Sequence, residues 1–183
     1  MERLSSQRRE KAERLRREDA RLRSIGAGLL LERFFPGRSV VISPEGKPEV
    51  PGERCLSLSH SGDLAVLALA DRPVGVDVER IRPVPDALAG RVLTEEERTW
   101  RGGSEDAFFF LWTRKEAALK CLGTGVDRPL ASSSVLPEDR PQLDGQTIEL
   151  CTVRYDDYLL SAAVSGGDAA FEPREIPWQE LLD

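Results

Sequence analysis

The chain has 183 residues, of which 40% are hydrophobic and 32% are charged, and its formal net charge is −6. This balance is typical of a folded globular protein and excludes an intrinsically disordered chain. No apolar run reaches the length of a membrane span, and the opening letters MERLSSQRREKAERL contain no apolar signal region, so we expect a cytoplasmic protein with no membrane association. Three scattered cysteines, Cys55, Cys121 and Cys151, are too few for a disulfide framework or a zinc site.

Charge is distributed unevenly along the chain. Residues 1–24 contain nine Lys or Arg and five Asp or Glu, a local charge of +4, so the remaining residues carry −10. An acidic protein with one basic segment is a poor general binder of nucleic acid, although it can hold a small, strongly anionic ligand at one place. We therefore expect no nucleic-acid partner.

The first half of the chain has the pattern of a helix followed by short strands. Apolar residues at roughly helical spacing predict a helix over residues 6–33. A loop rich in Pro and Gly follows, with a short strand at Val40–Ile42. Leu56–Leu58 and Leu64–Ala70 are predicted to be two strands joined by a turn at Ser59–Asp63.

The second half begins with a strand and continues with helices. Val74–Glu79 has the composition of a strand. Thr94 and Glu97 have the spacing of a capping box, which predicts a short helix after Thr94. Ser104 is a good cap for a longer helix that ends near Gly123. The remaining predicted elements are two strands and a short apolar segment, at Ile148–Tyr155, Tyr158–Val164 and Trp178–Leu182.

Each half therefore pairs a long helix with a few strands. This arrangement predicts an α+β protein of two similar halves, each a long helix packed on a small, mostly antiparallel sheet. The turn Asp71-Arg72-Pro73 separates the two patterns. We place the boundary there, with an N-terminal half at residues 1–72 and a C-terminal half at residues 73–183. Two fused halves favour a monomer.

Two carboxylates lie on one strand face in the stretch PVGVDVER. Because side chains alternate along a strand, Asp77 and Glu79 share one face. Neighbouring carboxylates repel each other unless a cation lies between them, and Mg²⁺ prefers oxygen ligands. The pair thus predicts a site for Mg²⁺ or for Mn²⁺, which an all-oxygen site does not distinguish. The alternative is an acidic pair on an edge strand that faces water.

The helix FFFLWTRKEAALK places Trp112, Glu116 and Lys120 along one stripe, because they are four residues apart. If this helix packs on the strand that carries Asp77, Glu116 supplies a third carboxylate and Lys120 can meet a phosphate beside the metal. Three carboxylates, a metal and lysines are the components of phosphate-ester or pyrophosphate chemistry. The alternative is an ordinary ion pair between Glu116 and Lys120 on a helix surface.

Two further segments could contact an anion. His60 is the single histidine and lies between Ser59, Ser61 and Asp63, but the chain has no G-x-S-x-G elbow, which argues against a Ser-His-Asp hydrolase. A tight turn with Ser and His can cradle an anion, or the histidine is simply a turn residue. Lys47, in Gly46-Lys47-Pro48, is either solvated or presents its ammonium group to a phosphate.

Four motifs, in the order GKP, LSLSHSG, GVDVE and WTRKEAALK, together resemble the signature of the 4′-phosphopantetheinyl transferases, of the larger, surfactin-synthetase-activating (Sfp) type. The resemblance spans about residues 5–165 and includes the first helix. It implies a pseudo-dimeric α+β fold with coenzyme A between the halves. It also implies transfer of the phosphopantetheine arm of coenzyme A to a serine of an apo acyl or peptidyl carrier protein, with release of 3′,5′-ADP.

The resemblance assigns roles to individual residues. Asp77, Glu79 and Glu116 would hold Mg²⁺ against the pyrophosphate, Glu116 would be the base for the carrier serine, and Lys120 would stabilise the leaving group. The aromatic front of the helix would anchor it in the core. The remaining implied contacts are all with coenzyme A: Arg8, Lys11, Arg23, Lys47, Ser59, His60, Lys115 and Lys120. The segment 91–106 is a natural docking flap for the carrier.

Two other functions compete with the transferase. A Mg²⁺-dependent phosphoesterase or pyrophosphatase would use the same carboxylates with water as the acceptor. An inactive, truncated family member would bind coenzyme A without transfer. This alternative arises because the family usually has a strand before its first helix, whereas this sequence starts almost at the helix; either the true start lies upstream or the first sheet lacks a strand.

Overall fold

The computed structural model describes residues 4–123, 133–137 and 140–182. Within these ranges the helices are α1 (Ser6–Glu13), α2 (Glu18–Phe34), α3 (Asp86–Val92), α4 (Glu95–Arg101) and α5 (Glu105–Leu122), with a 3₁₀ helix at Trp178–Leu181. The strands are β1 (Val41–Ile42), β2 (Pro48–Glu49), β3 (Cys55–Ser61), β4 (Leu64–Ala70), β5 (Val74–Arg80), β6 (Gln142–Leu143), β7 (Gln146–Tyr155) and β8 (Tyr158–Ser165). Among the helices of these ranges, none has the length and apolar character needed to span a bilayer.

The helix predicted over residues 6–33 is two helices in the structure, so that prediction is corrected. The break lets α1 fold back onto α2, and Gly28 makes room for the contact, because a Cβ there would lie 2.6 Å from Leu4 Cδ2. Apolar side chains from both segments reach the interior in this way, which one straight helix does not allow. Helix α2 also packs on the β3-β4 pair, through a small core of Leu31, Phe35, Val50 and Leu56.

Helix α5 packs on a four-stranded antiparallel sheet in the order β5-β8-β7-β6. Its first turns bury the predicted aromatic front, where Phe108 and Leu111 have no exposed surface. Thr113 joins the helix to the sheet, since its hydroxyl lies 2.7 Å from the hydroxyl of Ser161 on β8. The apolar start of α5 therefore fixes the helix against the sheet.

The helix signals of the sequence are confirmed. Thr94 and Glu97 form the predicted capping box of α4. The Ser104 hydroxyl accepts the Ala107 N–H at 3.2 Å, and Gly123 ends α5 in the left-handed region. Helix α3 and strands β2 and β6 were not predicted, because such short elements carry too little periodicity to be recognised.

The turn predicted at Ser59–Asp63 is shorter in the structure, and this prediction is corrected. Strand β3 continues to Ser61, and Gly62 adopts a positive φ that turns the chain within two residues. A Cβ at Gly62 would lie 2.2 Å from the hydroxyl of Tyr158, and the Asp63 N–H donates to that hydroxyl at 2.9 Å. This turn thus ties the first sheet to the second.

The predicted fold class is confirmed. Two units each contain a long helix on an antiparallel sheet, namely α2 on β3-β4 and α5 on β5-β8-β7-β6. The predicted division into residues 1–72 and 73–183 falls in the connection between β4 and β5, and it stays a prediction.

Candidate active site

Gly75 allows helix α5 to approach strand β5 closely. A Cβ at Gly75 would lie 1.9 Å from the Ala117 carbonyl oxygen and 2.5 Å from the Cys121 nitrogen. Because side chains alternate, the face of β5 that meets α5 is also the face of Asp77 and Glu79. Helix α5 therefore packs on the strand that carries Asp77, which is the condition under which Glu116 and Lys120 were predicted to join the site.

Asp77 is buried on this face, with two donors on one oxygen. Its Oδ1 accepts from Lys120 Nζ and from the Ser59 hydroxyl, each at 2.7 Å. Its Oδ2 is buried and has no hydrogen-bond partner among the described residues. Burial raises the pKa of Asp77, and the adjacent Lys120 opposes that shift. A buried carboxylate oxygen without a donor is energetically costly, which makes this atom unusual among the buried polar groups of the chain.

Glu79 lies two residues further along the strand and is held by two donors. The Ser61 hydroxyl and the Arg82 guanidinium each donate to its Oε2 at 2.8 Å. Its side chain is 20% exposed, so this carboxylate lies at the rim of the site, whereas Asp77 lies beneath it.

Glu116 lies on the neighbouring surface of α5 and is half-buried. Burial raises its pKa, the charges of Asp77 and Glu79 raise it further, and Lys120 lowers it. The three predicted carboxylates thus share one electrostatic environment. Across the described residues, however, no three acidic, His or Cys side chains are close enough together to hold a metal ion as they stand. The metal site remains a prediction.

Two lysines lie at the junction between strand β5 and helix α5. Lys120 Nζ donates to Asp77, to the Val76 carbonyl at 3.1 Å and to the Ser59 hydroxyl at 3.2 Å. Lys47 Nζ donates to the carbonyls of Val74 at 3.0 Å and of Lys120 at 2.8 Å, and burial lowers its pKa. Lys47 therefore connects the β1-β2 hairpin to both elements that carry the site.

A cleft of about 730 Å³ opens beside Lys47. Ser43, Lys47 and Arg54 line it from the first half of the chain, and Pro73 and Gln146 line it from the second. Three acids, Glu45, Glu49 and Glu53, line the same cleft, so its wall carries both signs of charge and is contributed by both halves.

Ser59 and His60 lie on strand β3, not in a turn as predicted. Ser59 donates its hydroxyl proton to Asp77, so its bond is with the carboxylate and not with His60. His60 is exposed and lies opposite Ala65 in the register with β4. The arrangement therefore does not support a Ser-His-Asp hydrolase, and the predicted contact of His60 with coenzyme A stays a prediction.

Lys115 lies on a different side of α5 from Glu116 and is not brought to the carboxylates. Its ammonium group is buried, where it donates to Glu97 Oε2 at 2.8 Å and to the Ser133 carbonyl at 2.6 Å. Burial lowers its pKa, and Glu97 opposes the shift. Its predicted contact with coenzyme A has no support from this geometry.

Glu97 has a second role, besides capping α4, that the sequence did not reveal. It has no exposed surface, and its Oε1 also accepts the Val135 N–H at 2.9 Å. It therefore joins α4, α5 and the segment 133–137. The capping-box spacing could find the residue, but nothing in the sequence showed that its other oxygen would be bonded within the core.

The basic residues of the first helices are only partly placed. Arg8 is buried where α1 meets α2, and burial lowers its pKa. Arg23 pairs with Asp19 at 3.1 Å on the surface of α2. The side chain of Lys11 lies outside the described part of the structure. The roles predicted for these three residues stay predictions.

Comparison with known proteins gives a consistent result. A family model described as the 4′-phosphopantetheinyl transferase superfamily matches residues 73–163. A 4′-phosphopantetheinyl transferase of Bacillus subtilis is 30% identical, over 98% of this chain and 90% of its own length. The transferase AcpT of Salmonella typhi is 35% identical, over 69% of this chain and 73% of its length.

Some relatives are considerably longer than the match. The 4′-phosphopantetheinyl transferase psf-1 of Bacillus pumilus is 35% identical, and the alignment covers 74% of this chain but 65% of psf-1. The alignment with the transferase gsp of Aneurinibacillus migulanus covers 52% of gsp. Among solved structures, a holo-(acyl-carrier-protein) synthase from Bacillus anthracis in complex with coenzyme A (3′,5′-ADP) has a TM-score of 0.44 at 21% identity, with coverage of 51% of this chain and 94% of that chain.

Proposed function

The chain belongs to the 4′-phosphopantetheinyl transferase family, and from this premise we propose that it transfers the 4′-phosphopantetheine group of coenzyme A to a serine of an apo acyl or peptidyl carrier protein. The reaction releases 3′,5′-ADP and depends on Mg²⁺, or on Mn²⁺. The observation that carries the proposal is Asp77, a buried carboxylate with Lys120 on one oxygen and, among the described residues, no donor on the other.

The donor set fits a divalent cation. Asp77 Oδ2 is buried without a donor among the described residues, and Glu116 and Glu79 lie near enough for their charges to affect the same environment. We assign the cation to Asp77, Glu79 and Glu116. When bound, it would offset the negative charge of the pyrophosphate that breaks during transfer.

Glu116 is the base in this proposal. The carrier serine must lose a proton as its oxygen attacks the β-phosphorus of the coenzyme A pyrophosphate. A carboxylate whose pKa is raised by burial and by Asp77 holds that proton better than an ordinary glutamate would. Glu116 must be ionised when the serine arrives, and the cation and Lys120 both favour that form.

Lys120 and Lys47 serve the anionic leaving group. Of the three bonds that Lys120 Nζ makes, the one to Ser59 is the longest, and a phosphate oxygen would replace it. Lys47 borders the cleft that both halves line, where we place the nucleotide end of coenzyme A. Cationic groups at these positions stabilise the bisphosphate as it departs.

The carrier protein would dock beside this site. The segment 91–106, predicted as a docking flap, includes α4, whose Trp100 is 44% exposed. An exposed aromatic side chain beside a charged site is a common anchor for a partner protein. The enzyme is expected to act as a cytoplasmic monomer.

The test is a transfer reaction with coenzyme A, Mg²⁺ and a panel of apo carrier proteins, followed by mass spectrometry of the carriers. We expect a carrier to gain one phosphopantetheine, and the gain to disappear with EDTA. Asp77→Asn should reduce the rate at least about a hundredfold. Asp71→Asn is the matched control, because Asp71 is exposed and pairs only with Arg54 at 2.8 Å among the described contacts.

Three other outcomes would contradict the proposal. Release of phosphate or 3′,5′-ADP without a carrier would indicate a phosphoesterase or pyrophosphatase. Tight binding of coenzyme A with no transfer to any carrier would indicate an inactive family member. Equal transfer rates for Asp77→Asn and the wild type would remove Asp77 from the site.

A further inference from the structure

Three serines alternate along β3 and line the edge of β5. Strands β3 and β5 belong to different sheets, so no backbone ladder joins them. Each serine hydroxyl instead accepts one backbone N–H of β5, and the pairs are Val76 with Ser57 at 3.1 Å, Val78 with Ser59 at 3.4 Å and Arg80 with Ser61 at 3.1 Å. The hydroxyls thus replace the carbonyls of a neighbouring strand as acceptors.

Two of the serines also pass a hydrogen bond to a carboxylate. A hydroxyl can accept and donate at once, so a serine that accepts a backbone N–H still has its one proton to donate. Ser59 donates to Asp77 Oδ1 at 2.7 Å, and Ser61 donates to Glu79 Oε2 at 2.8 Å. In both cases the carboxylate belongs to the residue just before the donating N–H. The same repeat places Ser57 beside Gly75, which has no side chain.

We propose that Ser61 is a positioning residue for Glu79, an inference that rests on the proposed function and goes beyond it. Glu79 is a flexible side chain at the rim of the site, and Arg82, its other donor among the described residues, is 54% exposed. The Ser61 hydroxyl is anchored to the backbone of β5 through the Arg80 N–H. The Ser61 hydroxyl therefore keeps the Glu79 carboxylate in a fixed position beside Asp77. A bond to Arg82 alone would let the carboxylate move with an exposed side chain.

The three serines provide a matched comparison. Ser61→Ala removes a backbone acceptor and the donor to Glu79, while Ser57→Ala removes a backbone acceptor alone. We expect Ser61→Ala to raise the Mg²⁺ concentration for half-maximal transfer about tenfold. This is the lower end of the loss in metal affinity that follows when a hydrogen-bond partner of a metal ligand is removed. Ser57→Ala should change it less than about twofold, and Ser61→Thr, which keeps the hydroxyl, should restore the wild-type value.

A second readout does not depend on activity. The thermal midpoint of the carrier-free protein is followed as Mg²⁺ or Mn²⁺ is added, and the Ser61→Ala midpoint should need about tenfold more cation to rise than the Ser57→Ala midpoint does. If Ser61→Ala does not fold, Ser61→Cys preserves the volume with only a weak donor and takes its place in the comparison.

The outcomes separate the inference from the function. The positioning role alone would be overturned if the wild type shows cation-dependent transfer but Ser61→Ala and Ser57→Ala change the required cation concentration equally. The same conclusion would follow if Ser61→Thr does not restore the wild-type cation concentration. A wild-type protein that shows neither transfer nor a cation-dependent rise in its midpoint would overturn the proposed function, and the role of Ser61 with it.

Discussion

At the scale of single residues, Asp77 and Glu116 lower the stability of the folded protein when they are ionised, although the proposed reaction needs them in that form. Both carboxylates have a raised pKa because folding removes them from water, and each is further disfavoured by the other acids of the site. A carboxyl group whose pKa is raised on folding destabilises the native state when it is ionised. That cost is present in full above the folded-state pKa, decreases as the pH falls through it, and is gone below the pKa of the unfolded chain.

Glu116→Gln should therefore stabilise the metal-free protein while it abolishes transfer. Without the Glu116 charge, the repulsion with Asp77 and Glu79 is relieved. We expect the thermal midpoint at pH 8 in EDTA to rise by about 2–4 °C, which corresponds to about 1 kcal/mol for a chain of this size. The gain should shrink as the pH is lowered, because wild-type Glu116 then becomes protonated.

The control for this prediction is Glu105→Gln, on the exposed first turn of the same helix. It should not raise the midpoint, since a carboxylate is favourable at a helix N-terminus. A Glu116→Gln protein no more stable than the wild type at pH 8 would contradict the electrostatic description of the site.

At the scale of elements, the position of α5 on β5 decides whether the site exists. Gly75 has no side chain, and this lets the helix lie close enough for Lys120 to bond to Asp77 and for the charges of Glu116 and Asp77 to interact. The apolar start of α5 and the Thr113–Ser161 bond hold the helix there. The glycine of GVDVE thus acts through packing, while the aspartate and glutamate act through charge.

Gly75→Ala should displace the helix. Its Cβ would lie 1.9 Å from a backbone oxygen, which cannot move without the whole of α5. We expect a loss of at least about 3 kcal/mol in the free energy of unfolding, measured by urea denaturation, together with a loss of transfer. Gly90→Ala on α3 is the control, because a Cβ there meets nothing within 4 Å and alanine favours a helix. Equal stability of the two variants would refute the close approach.

The pair Glu97–Lys115 joins α5 to α4, and the predicted contact of Lys115 with coenzyme A stays a prediction. Lys115→Met would leave Glu97 buried without its cation, and we expect a loss of about 3–5 kcal/mol. The double variant Lys115→Met/Glu97→Gln should lose less than the sum of the single variants, which a denaturation cycle can measure.

A lysine on the same helix supplies the contrast. Lys120→Met should greatly reduce transfer with a smaller effect on stability, because that side chain is 31% exposed. In folded Lys115→Met protein, the KM for coenzyme A should stay near the wild-type value. A large rise in the KM for coenzyme A, with the free energy of unfolding unchanged, would indicate that Lys115 contacts coenzyme A.

At the scale of the whole molecule, the two halves are joined by side chains. The serine hydroxyls of β3 accept hydrogen bonds from backbone N–H groups at the edge of β5. The Tyr158 hydroxyl accepts one from the Asp63 N–H, in the turn between β3 and β4. Arg80 lies over the Tyr158 ring, with 5.8 Å between its guanidinium carbon and the ring centroid. The cleft and the carboxylates both lie along this junction, so the site depends on how the halves meet.

Tyr158→Phe should weaken the junction without changing either sheet. The Asp63 N–H would lose its acceptor, and we expect a loss of about 1 kcal/mol, seen as a lower thermal midpoint with a single transition. Tyr155→Phe, at the exposed end of β7, should cost less. A midpoint for Tyr158→Phe equal to that of Tyr155→Phe would mean that this bond does not help to hold the halves together.

Residue patterns alone were enough to predict most of the longer elements and the chemistry available to them, although not the break between α1 and α2. Alternation placed Asp77 and Glu79 on one face, helical spacing aligned Glu116 with Lys120, and Thr94, Ser104 and Gly123 marked helix ends. These features are local, because they depend on residues a few positions apart, and local rules suffice to predict them.

Contacts between distant side chains could be read from the folded structure and not from the residue patterns. Lys115 and Lys120 look alike in sequence, yet one is buried against Glu97 and the other bonds to Asp77. The role of Ser61 depends on a strand edge that belongs to a different sheet. Such contacts join residues far apart in the chain, and the packing that creates them, including the missing side chain of Gly75, acts through space and leaves no periodic signal in the sequence.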